Sequence, residues 1–336
     1  MSDGNLPSVV VVIGSNSFSG ASFVRYLLSL GVRVLGVSRS PEYHPVLLPY
    51  LFDDETHGQF DFYQYDINHH LYEIETLLDA KKPRLVFNFA AQSMVAQSWD
   101  YPEHWYQTNV VATAKLHEML RNKDYLDRYI HISTPEVYGN LSGYVSENRN
   151  YLPSTPYAIS RAAGDMNLHA YFDAYGFPVL FTRAANVYGP GQQLYRIIPK
   201  TILSIRSGQK LPLHGGGYSE RSFIHIDDVS RATWKIAQDG KLGEVYHIAT
   251  ESSITIRELV GSICQELGVE FAQVIEETGE RRGKDAAYLL DSSKLRQNLR
   301  WSNEVALQDG IRDVVQWVDK NYDVLKNMPW SYHHKP

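Results

Sequence analysis

Apolar and polar stretches alternate along the first half of the chain at a regular interval. The run Val9-Val10-Val11-Val12-Ile13 is apolar without a break, as in a strand covered on both faces in a parallel sheet. It ends in Gly14-Ser15-Asn16-Ser17-Phe18-Ser19-Gly20, and then Phe23, Leu27 and Leu28 recur at helical spacing, predicting a helix from Phe18 to Leu30. Gly31 stops that helix, and Val32 to Val37 reads as a second strand. Further strands are predicted at Phe60 to Tyr65, Arg84 to Phe89, Tyr129 to Ile132 and Val179 to Arg183. Between them fall helices from Leu71 to Leu78, from Pro102 to Asn122 and from the Ser154-Thr155-Pro156 start to about Tyr175. Strands and helices alternating through short connections predict an α/β fold, a Rossmann-type doubly wound parallel sheet.

After Tyr188-Gly189-Pro190-Gly191 the alternation stops. A helix from Ile198 to Ser207, a turn at Gly215-Gly216-Gly217 and the segment Arg221 to Val229 follow. That segment is expected to begin as a strand and to cap a helix with Asp227 or Asp228. Thr255-Ile256-Arg257-Glu258 is a capping box for a helix ending near Gly268. A last helix is expected around Val305 to Asn321, completing a smaller mixed α/β region. The expected division is a dinucleotide-binding domain over residues 1–190, to which the chain returns around 221–250, and a second region over 191–220 and 251–336.

Composition narrows the function. The 336 residues carry a formal net charge of −6, so no basic face marks a nucleic-acid partner. A single cysteine, Cys264, excludes a disulfide framework or a zinc cluster of cysteines, and no metal is expected. No run approaches the ~20 apolar residues of a membrane helix. Met1 to Ser8 lacks the basic-then-apolar layout of a signal peptide, so a cytoplasmic location is expected.

The chemistry gathers at predicted strand ends. The turn Gly14 to Gly20 can turn backbone N–H groups and a helix N-terminus towards a pyrophosphate, although Ser17 stands where the three-glycine pattern has its middle glycine. After the second strand, Arg39 and Ser40 favour NADP, because an arginine there suits a 2′-phosphate, while NAD stays possible. Asp66 and Ile67 stand where such folds touch adenine, and the small residues Ala90 and Ala91, with Gln92 and Ser93, let a backbone approach a ligand closely. Tyr157 and Arg161, four apart, share one face of a helix.

The ordered set resembles the extended short-chain dehydrogenase/reductase family of nucleotide-sugar-modifying enzymes. Its carriers are Gly14-x5-Gly20, Ala90-Ala91-Gln92-Ser93, Ser133-Thr134-Pro135-Glu136-Val137-Tyr138-Gly139, Tyr157-x3-Arg161, Asn186-Val187-Tyr188-Gly189-Pro190 and Arg221-Ser222-Phe223, with Arg281 to Asp291 near the C-terminus. The resemblance spans about Val9 to Trp317. Thr134-Pro135-Glu136 resembles the 4,6-dehydratases acting on dTDP-glucose and GDP-mannose; 4-epimerases carry small residues at the Glu136 position. The resemblance implies oxidation at C4 of a GDP- or dTDP-linked hexose, loss of water across C5 and C6, and return of the hydride to C6. Tyr157 would take the C4 hydroxyl proton, aided by Arg161 where the family has lysine. Glu136 would take the C5 proton and Thr134 would bond the C4 oxygen, while proline stands at 135 where the family has the acid for C6. Asn186, Arg221 and Arg281 would meet the diphosphate, and Ser93 the sugar. The second region would then bind the nucleotide sugar. A 4-epimerase is the alternative, and a non-catalytic NAD(P)-binding regulator a further one. A homodimer is expected through the helices from Pro102 and Pro156, which carry Trp105, Tyr106, Met166 and Tyr171.

Overall fold

Strand β1 (Val10–Ile13) buries all four of its side chains, and the chain winds outward from it in both directions. The computed structural model describes residues 7–52, 59–140, 143–279 and 289–335. In it β1 lies between β2 (Val34–Ser38) and β4 (Leu85–Asn88), with β3 (Phe60–Gln64) beyond β2. Beyond β4 come β5 (Arg128–Ile132), β6 (Val179–Ala184) and β7 (Val245–Ile248), giving the order β7-β6-β5-β4-β1-β2-β3. Every pairing in this seven-stranded sheet is parallel, so the doubly wound sheet expected from the sequence is what forms.

The two-residue period of β1 explains why an unbroken valine run is required. Val10 and Val12 pack with Phe23 and Leu27 of α1 (Phe18–Ser29) and with Ile236 of α7 (Ile226–Asp239). Val11 and Ile13 point the other way, to Ile74 of α2 (Leu71–Lys81), Leu116 of α4 (Thr113–Leu120) and Leu168 of α5 (Pro156–Tyr175). Burying each such side chain contributes roughly 1.5–3 kcal/mol. A third core joins α6 (Ile197–Ser207), α8 (Ile256–Glu266) and α9 (Leu307–Leu325) through Ile202, Ile263 and Val314.

Several elements differ from expectation, among them the helix Ser293–Leu299 and the paired strands Leu211–His214 and Ile275–Thr278, which were not predicted. The helix from Pro102 is not uniform: α3 (Pro102–Tyr106) passes through a π-helical segment, Gln107–Ala112, into α4. Thr113 Oγ1 bonds the Thr108 carbonyl five residues back at 2.8 Å there. The cap of α7 is His225, whose ring accepts the Asp227 N–H, not Asp227 or Asp228. Asp228 is instead turned inward, fully buried, accepting the N–H groups of Glu304 and Val305 at 2.7 and 3.1 Å. The strand β7 had no sequence prediction. Its four residues are buried on both faces, so they show no alternation.

Candidate active site

Strand order places a crevice at the C-terminal end of β1, because the chain leaves β1 towards β2 and later returns on the far side at β4. Gly14 turns the chain there at φ +85°, and a Cβ on it would lie 2.6 Å from the Ala90 nitrogen. A Cβ on Gly20 would lie 2.2 Å from the Gly14 carbonyl oxygen. Ser17 fits the middle position because it caps α1, accepting the Gly20 N–H at 3.1 Å and donating to the Gly14 carbonyl at 2.7 Å. The first turn of α1 holds no acidic residue, which leaves its N-terminus suited to an anion. The close backbone approach that Gly14 and Gly20 allow, set against a helix N-terminus, fits the pyrophosphate of a dinucleotide.

The neighbouring candidates divide into groups that build the cradle and groups that rim it. Ser15 and Asn16 are buried. The Asn16 amide donates to the carbonyls of Ser40 and Pro41 at 3.0 and 3.1 Å, and its N–H to Ser38 Oγ at 2.9 Å. Both residues tie the turn to the end of β2. Phe18 is core and Ser19 half-buried. Arg39, at the rim beyond β2, donates to the Lys335 carbonyl at 3.2 Å. Asp66 accepts the Asn68 N–H at 2.8 Å, and Ile67 is buried. Ala90 and Ala91 are half-buried at the end of β4, and Ser93 is exposed.

Gln92 is held by a residue with no signal in the sequence. Asn109, in the π-helical segment, accepts the Gln92 N–H at 2.8 Å and donates to the Gln92 carbonyl at 2.9 Å and to Ser160 Oγ at 2.9 Å. Ser160 in turn bonds the Tyr157 carbonyl at 2.7 Å. The rim of the crevice and the helix bearing Tyr157 are thereby one hydrogen-bonded unit.

Tyr157 enters the site from the first turn of α5, which Thr155 caps by accepting the Ala158 N–H at 3.1 Å. The Tyr157 N–H donates to Ser98 Oγ at 3.1 Å. Its phenol is buried beside Met94 and Trp105. Burial pushes that phenol up to about 12; Glu136 adds to the rise, while Arg161, Thr134 and Arg196 oppose it. The positive charge expected to ease ionisation is therefore present but outweighed. Thr134 caps the 3₁₀ turn Pro135–Tyr138 after β5, and its hydroxyl donates to the Glu136 carboxylate at 2.8 Å. Thr134, Glu136, Tyr157 and Arg161 thus converge. Arg161 is buried, donating to the Ile132 carbonyl and lying 3.4 Å from His131 Nε2. Behind it, Asp165 sits 2.8 Å from Arg183 and accepts from Ser133 Oγ at 2.6 Å. Burial alone would raise the Asp165 carboxyl, yet Arg183, His131 and Arg161 hold it well below the carboxylate range.

A family model described as GDP-mannose 4,6 dehydratase matches residues 11–314. The chain belongs to that family. It is 32% identical over 338 residues to a dTDP-glucose 4,6-dehydratase of Xanthomonas campestris, covering 95% of this chain and 94% of the relative. A crystal structure of a dTDP-glucose 4,6-dehydratase from Streptomyces venezuelae with NAD bound matches at TM-score 0.86 and 30% identity, over 94% of this chain and 98% of that one. A UDP-glucuronic acid 4-epimerase from Bacillus cereus, in complex with UDP-glucuronic acid and NAD, matches at TM-score 0.84 and 26% identity, over 94% and 100%.

Within this GDP-mannose 4,6 dehydratase scaffold the remaining candidates lie later in the chain than β6. Asn186 belongs to a short strand, Asn186–Tyr188, and donates to the Ser222 carbonyl at 3.3 Å. Arg221, one residue away along the partner segment, is half-buried and donates to the Glu220 carbonyl at 2.7 Å. Arg281 lies outside the described residues, as do Gly283, Asp285 and Tyr288. Two contributors escaped the sequence reading besides Asn109. Arg196, at the start of α6, acts on the Tyr157 phenol through its charge. The C-terminal tail brings Tyr332 against the cluster that holds Tyr157.

Proposed function

We propose that the chain converts a nucleotide-linked hexose into its 4-keto-6-deoxy derivative as a 4,6-dehydratase. The observation that carries this is the convergence of Thr134 and Glu136 on the buried Tyr157. Residues 1–190 with 221–250 would hold the dinucleotide, and 191–220 with 251–336 the nucleotide sugar.

The cradle Gly14 to Gly20 would hold the pyrophosphate, with Ala90, Ala91 and Gln92 along the other wall and Asp66 and Ile67 at the adenine end. When bound, an oxidised nicotinamide supplies a hydride acceptor and one positive charge. Tyr157 takes the C4 hydroxyl proton, with Thr134 bonding the C4 oxygen. The resulting ketone acidifies C5, and Glu136 removes that proton. Pro135 has no proton to give, so Glu136 hands the same proton to the C6 oxygen, which leaves as water. The hydride taken from C4 would then return to C6 while C5 takes up a proton from solvent, balancing the C4 hydroxyl proton that Tyr157 passes out. Arg161 supplies a fixed positive charge that favours the ionised phenol. Asn186, Arg221 and Arg281 are assigned to the diphosphate and Ser93 to the sugar.

Arg39 favours NADP at the end of β2, although the Streptomyces relative was solved with NAD. The relatives' names favour a dTDP-linked substrate. Both molecules are multiply charged and do not cross a lipid bilayer unaided, which suits a cytoplasmic enzyme; among the described residues no helix is long and apolar enough to cross a membrane. A 4-epimerase would use the same cradle and tyrosine but has no task for Glu136. The test is incubation with dTDP-, GDP- and UDP-hexoses, following the 4-keto-6-deoxy product by mass, and mass spectrometry of the dinucleotide released on denaturation. A C4 epimer as sole product overturns the dehydratase reading, and release of NAD alone at full occupancy overturns NADP.

A further inference from the structure

Residues 330–335 lie across the site rather than trailing from α9. Trp330 anchors the tail, its indole N–H donating to the Leu325 carbonyl at 3.0 Å. Tyr332 packs edge-on against Tyr195, ring centres 5.7 Å apart. The His334 ring lies nearly parallel to Trp105, Tyr101 and His104, at 4.9, 5.6 and 5.0 Å, and shares a 2.8 Å hydrogen bond with His104 Nδ1. The Lys335 carbonyl then accepts from Gln92 at 2.8 Å and from Arg39 at 3.2 Å. Its ammonium lies 5.5 Å from the centre of the Tyr43 ring.

Those two donors stand on opposite rims. Arg39 follows β2 and Gln92 follows β4, and in the sheet β1 lies between those strands. One carbonyl bonded to both therefore spans the crevice that begins at the Gly14 turn. We propose that residues 331–335 form a strap across the dinucleotide groove and hold the cofactor in place. The inference rests on the dehydratase reading, in which oxidation at C4 is reversed at C6 and the dinucleotide ends each turnover in its starting state. No exchange is needed between turnovers, so a strap that slows cofactor release leaves the catalytic cycle free.

The test compares the full chain with one ending at Trp330, and with full-length His334→Ala. Each is loaded with whichever of radiolabelled NAD or NADP the full chain retains, then chased with excess unlabelled dinucleotide. The truncated chain is expected to release label at least about tenfold faster, as for loss of a ring stack and a charge-assisted hydrogen bond. His334→Ala, which leaves the backbone intact, should shift release in the same direction by several-fold. Release at the full-length rate from both variants overturns the strap. So does tighter binding on truncation with an unchanged release rate, the signature of a tail that competes with the dinucleotide. If the full chain binds neither dinucleotide, the functional reading falls and the strap with it; binding with unaltered release defeats the strap alone.

Discussion

Tyr157 must give up its proton from a buried position, and Glu136 makes that harder while being needed for the next step. Burial raises the phenol and the Glu136 charge raises it further, so neutralising that charge eases ionisation. Glu136→Gln is therefore expected to act oppositely on the two steps. C4 oxidation, followed by cofactor absorbance in a single turnover, should keep its rate with its rising pH limb moved to lower pH. Elimination should fall by about 10²–10⁴-fold, the usual worth of a positioned acid or base. A pH limb moved upward would show that Glu136 does not face the phenol. Pro135 adds a second expectation: with one carboxylate serving both C5 and C6, Pro135→Asp should bring little gain or a loss in the elimination step. A clearly faster elimination would instead mean that water carries the proton. At this scale the sequence disclosed which residues meet but not how they are aimed. The four-residue spacing of Tyr157 and Arg161 predicts a shared face; the bond from Arg161 to Ile132 depends on β5 lying beneath α5, which spacing cannot reveal.

Among the elements, α5 was legible because local chemistry fixes both its ends. Thr155 and Pro156 start it, and Gly176 closes it in the left-handed region at φ 66°. The π-helical segment was not legible, since Asn109 acquires its role only when α3 lies beside the end of β4. Its side chain is buried and meets both backbone groups of Gln92. Asn109→Ala should therefore leave two polar groups unpaired and cost about 1–3 kcal/mol for each left without water. Urea unfolding measures the stability loss. The same variant should bind dinucleotide more weakly, because Gln92 rims the crevice; unchanged affinity with lost stability would confine Asn109 to a structural role.

For the whole molecule, the parallel sheet could be read from alternating strands and helices, whereas the closure of the site by the tail could not, because Tyr332 and His334 form no periodic pattern and their partners lie more than a hundred residues away. The expected pairing surface illustrates the same limit. Trp105 does not face outward as the helix pattern suggested: it is fully buried within its own chain, under His334. Met166, however, is 59% exposed and Ile159 42% exposed, seven residues apart and so on one face of α5. Val111 and Tyr106 are exposed on the adjoining helical run. Four large apolar side chains on two neighbouring helices form a surface that a second copy would cover by two-fold pairing of the same helices. We therefore expect a homodimer, with light scattering at micromolar concentration giving twice the chain mass. Ile159→Lys with Met166→Glu should give the monomer mass and retain the fold, since neither side chain belongs to a core. A wild-type chain that scatters as a monomer would count against the pairing. A double variant that remains dimeric would move the contact to another face.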